Sequence, residues 1–80
     1  NAEWNRLLKL STPAYHEYIE KGKEPRASSI FMYSEANYNL GNVEEAEKGY
    51  RIATKLFPKL IVGIQSKKMI EKIEKDRTKQ

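Results

Sequence analysis

The residues best suited to chemistry in this chain are His16 and its neighbours Glu17 and Glu20. Proteins use an imidazole beside carboxylates for general acid–base catalysis and for binding metal ions. One histidine and two carboxylates that look exposed are too few for either kind of site. We therefore expect His16 to be an ordinary surface or partly buried ring, and we predict no catalytic residue and no metal site.

Other sequence features of enzymes are missing as well. The four glycines, Gly22, Gly41, Gly49 and Gly63, form no phosphate-binding loop, and no serine stands in a nucleophile motif. The chain has no cysteine, which excludes disulfides and thiol chemistry. We therefore expect a protein that is not an enzyme and that binds neither a cofactor nor a small-molecule substrate.

The length of 80 residues allows one small domain, which we place at residues 1–80. Hydrophobic residues make up 39% of the chain and charged residues 32%, a balance typical of soluble folded proteins. The longest apolar stretch, residues 60–62, is far shorter than the roughly 18 residues that span a bilayer. We expect a soluble domain of the cytoplasmic type, but the composition indicates no particular compartment.

The net charge of +4 is concentrated at the C-terminal end. Residues 59–80 carry seven Lys or Arg against three Asp or Glu, whereas residues 1–58 carry equal numbers. The candidates for neutralising the phosphates of a nucleic acid or an anionic membrane are Lys67, Lys68, Lys72 and Lys75. Acids interleave them, and Glu71 stands at ion-pair spacing from Lys67 and from Lys75, which favours a solvated helix face. Electrostatic binding is therefore the alternative hypothesis.

Residues 1–22 have the hydrophobic spacing of helices, with an interruption at residues 11–13. Thr12 can cap a helix, and Pro13 fits the first helical position, where the amide hydrogen that it lacks is not needed. We therefore predict two short helices here, the second of which ends at Gly22. The side chains predicted to face inward are Trp4, Leu7, Leu8, Tyr15, Tyr18 and Ile19.

The clearest pattern is a pair of helices that form a hairpin over residues 27–58. The residues predicted to shape its ends are Ser28 or Ser29 as the first cap, Gly41 as a left-handed turn, Asn42 with Glu45 as a capping box, and Pro58 as the stop. A fifth and last helix is predicted over residues 60–77. Its apolar stripe consists of Val62, Met69, Ile70 and Ile73.

The hairpin resembles one tetratricopeptide repeat, a unit of about 34 residues made of two helices. The residues that carry the resemblance are Ile30, Tyr33, Ser34 and Asn37 in the first helix and Ala46, Tyr50, Ala53 and Pro58 in the second. Small residues at such positions let two helix axes approach to about 8–10 Å, while aromatic rings fill the wedge between them. Asn37 departs from the family pattern because an aromatic residue is usual there, and Tyr38 follows one position late.

Only scattered positions fit the repeat upstream and downstream of this hairpin, so we predict a single repeat. A lone repeat leaves two faces uncovered. We expect the degenerate helical pair in residues 1–22 and the last helix, as a cap, to cover them. The resemblance thus implies an all-α, right-handed stack of about five short helices built on antiparallel hairpins.

The resemblance also implies that the chain is a scaffold or adaptor that binds a peptide or a helix of another protein. Family members hold such ligands in a groove lined by the first helices of their repeats. The positions that face this groove are Ser28, Phe31, Glu35, Tyr38 and Asn39. Phe31 and Tyr38, two turns apart, suit an apolar ligand side chain; the alternative is that they only pack beneath the second helix. Phe31 and Glu35 replace the Lys and Asn that hold a terminal carboxylate in some members, so we do not expect that ligand class.

Two other interpretations stay open. The three-helix microtubule-interacting-and-trafficking domains are similar to residues 27–79, although Pro58 ends the second helix earlier than is usual in that family. The chain is alternatively a structural subunit or a fragment of a larger helical assembly, with its first helix docked on a neighbour through Trp4.

Overall fold

The computed structural model describes residues 2–79, which form four α-helices and no β-strand. The helices are α1 (Ala2–Lys21), α2 (Ala27–Asn39), α3 (Val43–Leu56) and α4 (Ile61–Thr78). Each helix packs against the next one along the chain, and α2 also touches α4. The predicted all-α fold is confirmed, with four helices where we expected about five.

The predicted pair of helices in residues 1–22 is wrong, because α1 is continuous and contains Pro13 in its interior. Proline cannot donate the amide hydrogen that would bond to the carbonyl of Lys9, one turn earlier. Lys9 and Pro13 are both exposed, so water can satisfy this carbonyl. Thr12 does not cap a new helix: its hydroxyl donates a hydrogen bond of 2.6 Å to the carbonyl of Leu8.

The buried side of α1 is confirmed in part. Tyr15 is buried, and the side chains of Trp4, Leu7, Leu8 and Tyr18 are half-buried. Ile19 was predicted to face inward and is instead 56% exposed. In the continuous helix the buried stripe is centred on Ser11 and Tyr15, and Ile19 lies at its edge.

The turn between α2 and α3 has the predicted glycine but not the predicted cap. Gly41 adopts a φ of +88°, which is the left-handed conformation that favours glycine. The Asn42 side chain makes no cap hydrogen bond to α3; its Nδ2 donates to Oδ1 of Asn37 at 3.1 Å. Glu45 does not reach back to the cap amide, since its carboxylate accepts a hydrogen bond of 3.0 Å from the Tyr33 hydroxyl.

At the other two ends of the hairpin, the predicted side-chain cap is again absent and the predicted end of the backbone helix is again present. The residue that precedes α2 is Arg26, with no side-chain cap hydrogen bond, and Ser28 and Ser29 lie inside the helix. The prediction of a serine cap is therefore wrong. α3 ends at the predicted place, with Phe57 as its last cap residue before Pro58.

Two clusters of buried side chains hold the helices together. The first joins α1, α2 and α3 and consists of Tyr15, Ile30, Tyr33 and Ala53. Within it the rings of Tyr15 and Tyr33 stack, with centroids 4.2 Å apart and planes 8° from parallel. The second joins α3 and α4 and consists of Ala46, Tyr50, Ile70 and Ile73. Thus α1 and α4 each cover a different part of the α2–α3 hairpin.

The positions that carry the repeat pattern are all buried on α2 and α3 apart from Pro58. Asn37, which stands where the family has an aromatic residue, is one of them. Its Nδ2 donates a hydrogen bond of 3.0 Å to the carbonyl of Tyr33, and its Oδ1 accepts the bond from Asn42. Because both ends of the amide are satisfied, Asn37 is compatible with burial and ties α2 to the following turn.

Candidate protein-binding groove

The five residues predicted to bind a partner lie on one side of α2. Ser28, Phe31, Glu35 and Tyr38 follow each other at intervals of three or four residues, so they share one helix face, and Asn39 borders it. Phe31, Glu35 and Tyr38 are half-buried, whereas Ser28 and Asn39 are exposed. This face of α2, together with the part of α4 that touches it, is called the α2–α4 groove below.

The two aromatic residues of the groove have a core-facing part and a surface part. Phe31 contacts Tyr50 of α3 edge to face, with centroids 6.2 Å apart and planes at 61°. Phe31 and Tyr38 both pack against the cluster that joins α3 to α4. Each ring therefore contributes to stability and still has part of its surface exposed to solvent.

The buried hydroxyl of Tyr50 lies close to the Glu35 carboxylate. It forms no hydrogen bond of good geometry within residues 2–79, but Glu35 is near enough to act on it. Burial, then the negative charge of Glu35 and a hydrogen-bonding interaction with that carboxylate, raise the pKa of this hydroxyl above its ordinary range. Tyr50 is therefore neutral at physiological pH, and the groove presents one carboxylate between two rings.

The opposite wall of the groove comes from α4. Nζ of Lys72 lies 5.5 Å from the centre of the Tyr38 ring, which is a cation–π contact. Lys72 was predicted as an anion-binding residue, and the structure places it next to the predicted protein-binding residues. The other three predicted anion-binding residues, Lys67, Lys68 and Lys75, are exposed elsewhere on α4.

The ion pairs predicted along α4 do not form. Glu71 makes no ion pair with Lys67 or Lys75 among the described residues. The charged residues of α4 that do pair instead reach across to α3: Glu74 lies 3.4 Å from Arg51, and Arg77 lies 2.8 Å from Glu47. The ion-pair partners of these α4 side chains are therefore determined by packing against α3 and not by helical spacing within α4.

Glu47 is the centre of this network between α3 and α4. Its side chain is only 14% exposed, and it accepts hydrogen bonds from Arg77 at 2.8 Å and from Arg51 at 2.7 Å. The hydrogen bond from Arg77, followed by the one from Arg51, holds the pKa of Glu47 below its ordinary value. The network fixes the C-terminal part of α4 against α3 and so positions the wall of the groove.

Beside Tyr38 the groove opens into a cavity of about 540 Å³ that the sequence did not indicate. The cavity is lined by Tyr38, Val43, Glu44, Ile73, Asp76 and Arg77. Because Arg77 is already paired with Glu47, the carboxylates of Glu44 and Asp76 give the cavity an acidic character. Its lining comes from three helices, so no spacing within one segment could have revealed it.

The residues that could have done other chemistry are not brought together. His16 is exposed, and its Nδ1 lies 3.9 Å from Oε2 of Glu20. Within residues 2–79 no three His, Cys, Asp or Glu side chains are grouped closely enough to hold a metal ion. None of the helices in that range combines the length and the apolar character needed to cross a membrane.

Comparisons of the chain with protein-family models, with curated proteins and with solved structures found no match. The resemblance to tetratricopeptide repeats therefore depends on the residues of the hairpin themselves.

Proposed function

We propose that this chain is a protein-interaction module of the tetratricopeptide type, which binds a peptide or a helix of a partner protein in the α2–α4 groove. The observation that supports it is the pair of half-buried rings, Phe31 and Tyr38, on either side of the Glu35 carboxylate. Rigid aromatic side chains with an exposed part are the anchors that protein interfaces favour. The groove has these anchors and a charge that can select among ligands.

The spacing of these groups defines the ligand. Phe31 and Tyr38 are seven residues apart on α2, or about 10 Å along its axis. A partner helix with two apolar residues seven positions apart, or an extended peptide with apolar residues about three positions apart, matches this distance. Between the two anchors, a Lys or Arg would pair with Glu35. The acidic carboxylates of the adjoining cavity favour further basic residues at one end of the ligand.

A peptide selection followed by binding measurements tests this proposal. Peptides are selected from a displayed random library against the immobilised chain, and their affinities are measured by calorimetry. We expect the selected sequences to contain paired apolar residues and a basic residue. Because the rings of Phe31 and Tyr38 also pack in the core, the groove is better tested with Glu35→Gln and Asn39→Arg, which change charge and access at its surface.

Each of these two changes should weaken the binding of the selected peptides at least tenfold. Glu24→Gln, a matched loss of charge in the exposed loop between α1 and α2, should leave the affinity unchanged. Circular dichroism of each variant confirms that the helices are intact. Peptides that bind all three variants as tightly as they bind the original chain would show that the groove is not the binding site.

A further inference from the structure

The first turn of α4 and the residue just before it expose three large aliphatic side chains to solvent. Leu60 is 50% exposed, Ile61 is 76% exposed and Ile64 is 48% exposed. The residues of α4 that face the rest of the protein are the buried Gly63, Ser66, Ile70 and Ile73 and the partly buried Val62 and Met69, so the three aliphatic side chains lie outside that stripe. Packing within the chain does not explain them.

The charges nearest in sequence to these side chains have one sign. Between Lys48 and Ile70 the chain contains no Asp or Glu, and its basic residues are Lys48, Arg51, Lys55, Lys59, Lys67 and Lys68. Lys48 and Arg51 are paired with acids outside this stretch, namely Glu45 and Glu47 earlier in α3 and Glu74 in α4. The other four are exposed and form no ion pair among the described residues.

The helix brings the two features together. Lys67 and Lys68 follow Ile64 by three and four residues, so they lie one turn further along the same side of α4. Lys59 precedes Leu60 in the turn that leads into the helix. The result is an aliphatic centre with a basic rim, called the α4 patch below; it consists of Lys59, Leu60, Ile61, Ile64, Lys67 and Lys68.

We infer that the α4 patch docks on the surface of an anionic lipid bilayer. Aliphatic side chains gain free energy when they enter the boundary between headgroups and acyl chains, and lysines beside them are attracted to anionic headgroups. Long lysine side chains can also cover apolar surface while their ammonium groups stay in water. The patch combines both contributions, and none of its residues is among the named residues of the α2–α4 groove or of the two buried clusters.

The composition of the patch favours lipid over other occupants. Proteins that bind single-stranded nucleic acid use aromatic rings and arginines for stacking, whereas the patch contains only aliphatic residues and lysines. A further repeat helix would need apolar residues along the whole exposed side of α4. That side continues instead with Lys68, Glu71 and Lys75, and the exposed aliphatic residues are confined to its first turn.

Vesicle binding by the complete chain tests the inference. We expect it to sediment with vesicles of phosphatidylcholine that contain 30% phosphatidylglycerol, and not with vesicles of phosphatidylcholine alone. Lys67→Gln with Lys68→Gln should lower the partition coefficient about 25-fold, since each lysine contributes about fivefold. Ile61→Ser with Ile64→Ser should lower it by at least tenfold. These four positions are exposed or half-exposed, and circular dichroism checks the fold.

Matched variants on α1 provide the controls. Lys9→Gln with Lys21→Gln removes the same charge from exposed positions, and Leu10→Ser with Ile19→Ser removes two aliphatic side chains that are 67% and 56% exposed. Both pairs should change the partition coefficient less than threefold. Equal losses in the α1 pairs and in the α4 pairs would overturn the inference, because binding would then follow total charge and hydrophobicity.

A fluorescent label gives a second and independent measurement. Because the chain has no cysteine, Ile61→Cys and Leu10→Cys each provide a single attachment site for an environment-sensitive dye. Anionic vesicles should shift the emission to the blue at position 61 and leave it unchanged at position 10. A blue shift at both positions, no shift at position 61, or binding to an RNA oligonucleotide without binding to vesicles would overturn the inference.

Discussion

Gly49 of α3 lies directly against Ser34 of α2. A Cβ atom on Gly49 would be 3.2 Å from the Ser34 Cβ and 3.2 Å from Cδ2 of Tyr33, and it would overlap the Ser34 hydroxyl oxygen. That oxygen is held in place because it donates a hydrogen bond of 2.8 Å to the carbonyl of Ile30. The crossing of the two helices therefore depends on a pair of small residues.

We expect Gly49→Ala to destabilise the chain by about 1 kcal/mol, although glycine is a poor helix former. Helix propensity alone would stabilise the variant by about 1 kcal/mol. Overpacking of a close helix crossing costs about 1–3 kcal/mol, which outweighs that gain. Urea unfolding followed by circular dichroism measures the difference. In the background of Ser34→Ala, which removes the overlapping oxygen, the same change should cost less; an increase in stability in the original background would contradict the prediction.

We expect the contribution of Glu47 to stability to depend on pH. Its pKa is lowered in the folded state from the ordinary value of 4.5, chiefly by the hydrogen bond from Arg77 and then by that from Arg51. The stabilisation is therefore present above the pH at which the unfolded carboxyl titrates, and it disappears as the pH falls through the folded-state pKa. Glu47→Gln should lower the free energy of unfolding by about 1 kcal/mol at pH 7 and by progressively less below pH 4.5.

The control for this prediction is Glu71→Gln, an exposed carboxyl on α4 that makes no ion pair among the described residues. Urea unfolding of both variants and of the original chain between pH 3 and pH 7 is the measurement. Glu71→Gln should cost less than Glu47→Gln at pH 7. A Glu47→Gln effect that keeps its size across the range would show that the carboxylate charge is not the cause.

The parts of the fold that the sequence predicted are those fixed by local chemistry. Gly41 and Pro58 mark the ends of the hairpin because one permits a left-handed turn and the other prevents the helical region before it. The alternation of small and large residues on α2 and α3 identified the buried face, and the apolar stripe identified α4. These signals are readable because each comes from a few neighbouring residues.

The parts that the sequence did not predict depend on contacts between distant segments. Asn42 and Glu45 have the spacing of a capping box, but their side chains bond to Asn37 and Tyr33 of α2. The cavity beside Tyr38 exists only because the ends of three helices meet. Helical spacing indicated the wrong partners for Asn42 and Glu45, because local and tertiary partners compete for the same side chains. It gave no indication of the cavity, because the lining comes from three separate helices.

At Pro13 the local sequence pattern predicted the start of a second helix, but α1 continues through this residue. Replacing it with alanine distinguishes an interior position in one helix from the first position of a second helix. We expect Pro13→Ala to raise the free energy of unfolding by about 1–3 kcal/mol, because it restores the amide that can bond to Lys9 and removes the strain of the ring. Urea unfolding measures this gain, and hydrogen exchange at the new amide should show protection. An unchanged stability with an unprotected amide would instead indicate that the helix begins at residue 13.

The hydrogen bond of 3.0 Å from the Tyr33 hydroxyl to Glu45 should couple α2 to α3. We expect a double-mutant cycle of Tyr33→Phe and Glu45→Ala to give a coupling free energy of about 1 kcal/mol at pH 7. Phenylalanine keeps the ring that stacks on Tyr15, so the cycle isolates the hydroxyl. Hydrogen bonds from Lys48 and then from Tyr33 lower the pKa of Glu45 from its ordinary value of 4.5. The coupling should therefore persist above that pH and vanish as the carboxylate becomes protonated at lower pH.

A matched cycle of Tyr33→Phe with Glu44→Ala, the exposed neighbouring acid on α3, serves as the control and should give no coupling. Urea unfolding of each variant at pH 7 and at pH 3 provides the free energies. Equal coupling at the two pH values would mean that the neutral carboxyl serves as well as the carboxylate. Coupling of the same size in the control cycle would mean that Tyr33 responds to the general negative charge at the start of α3 and not to a bond with Glu45.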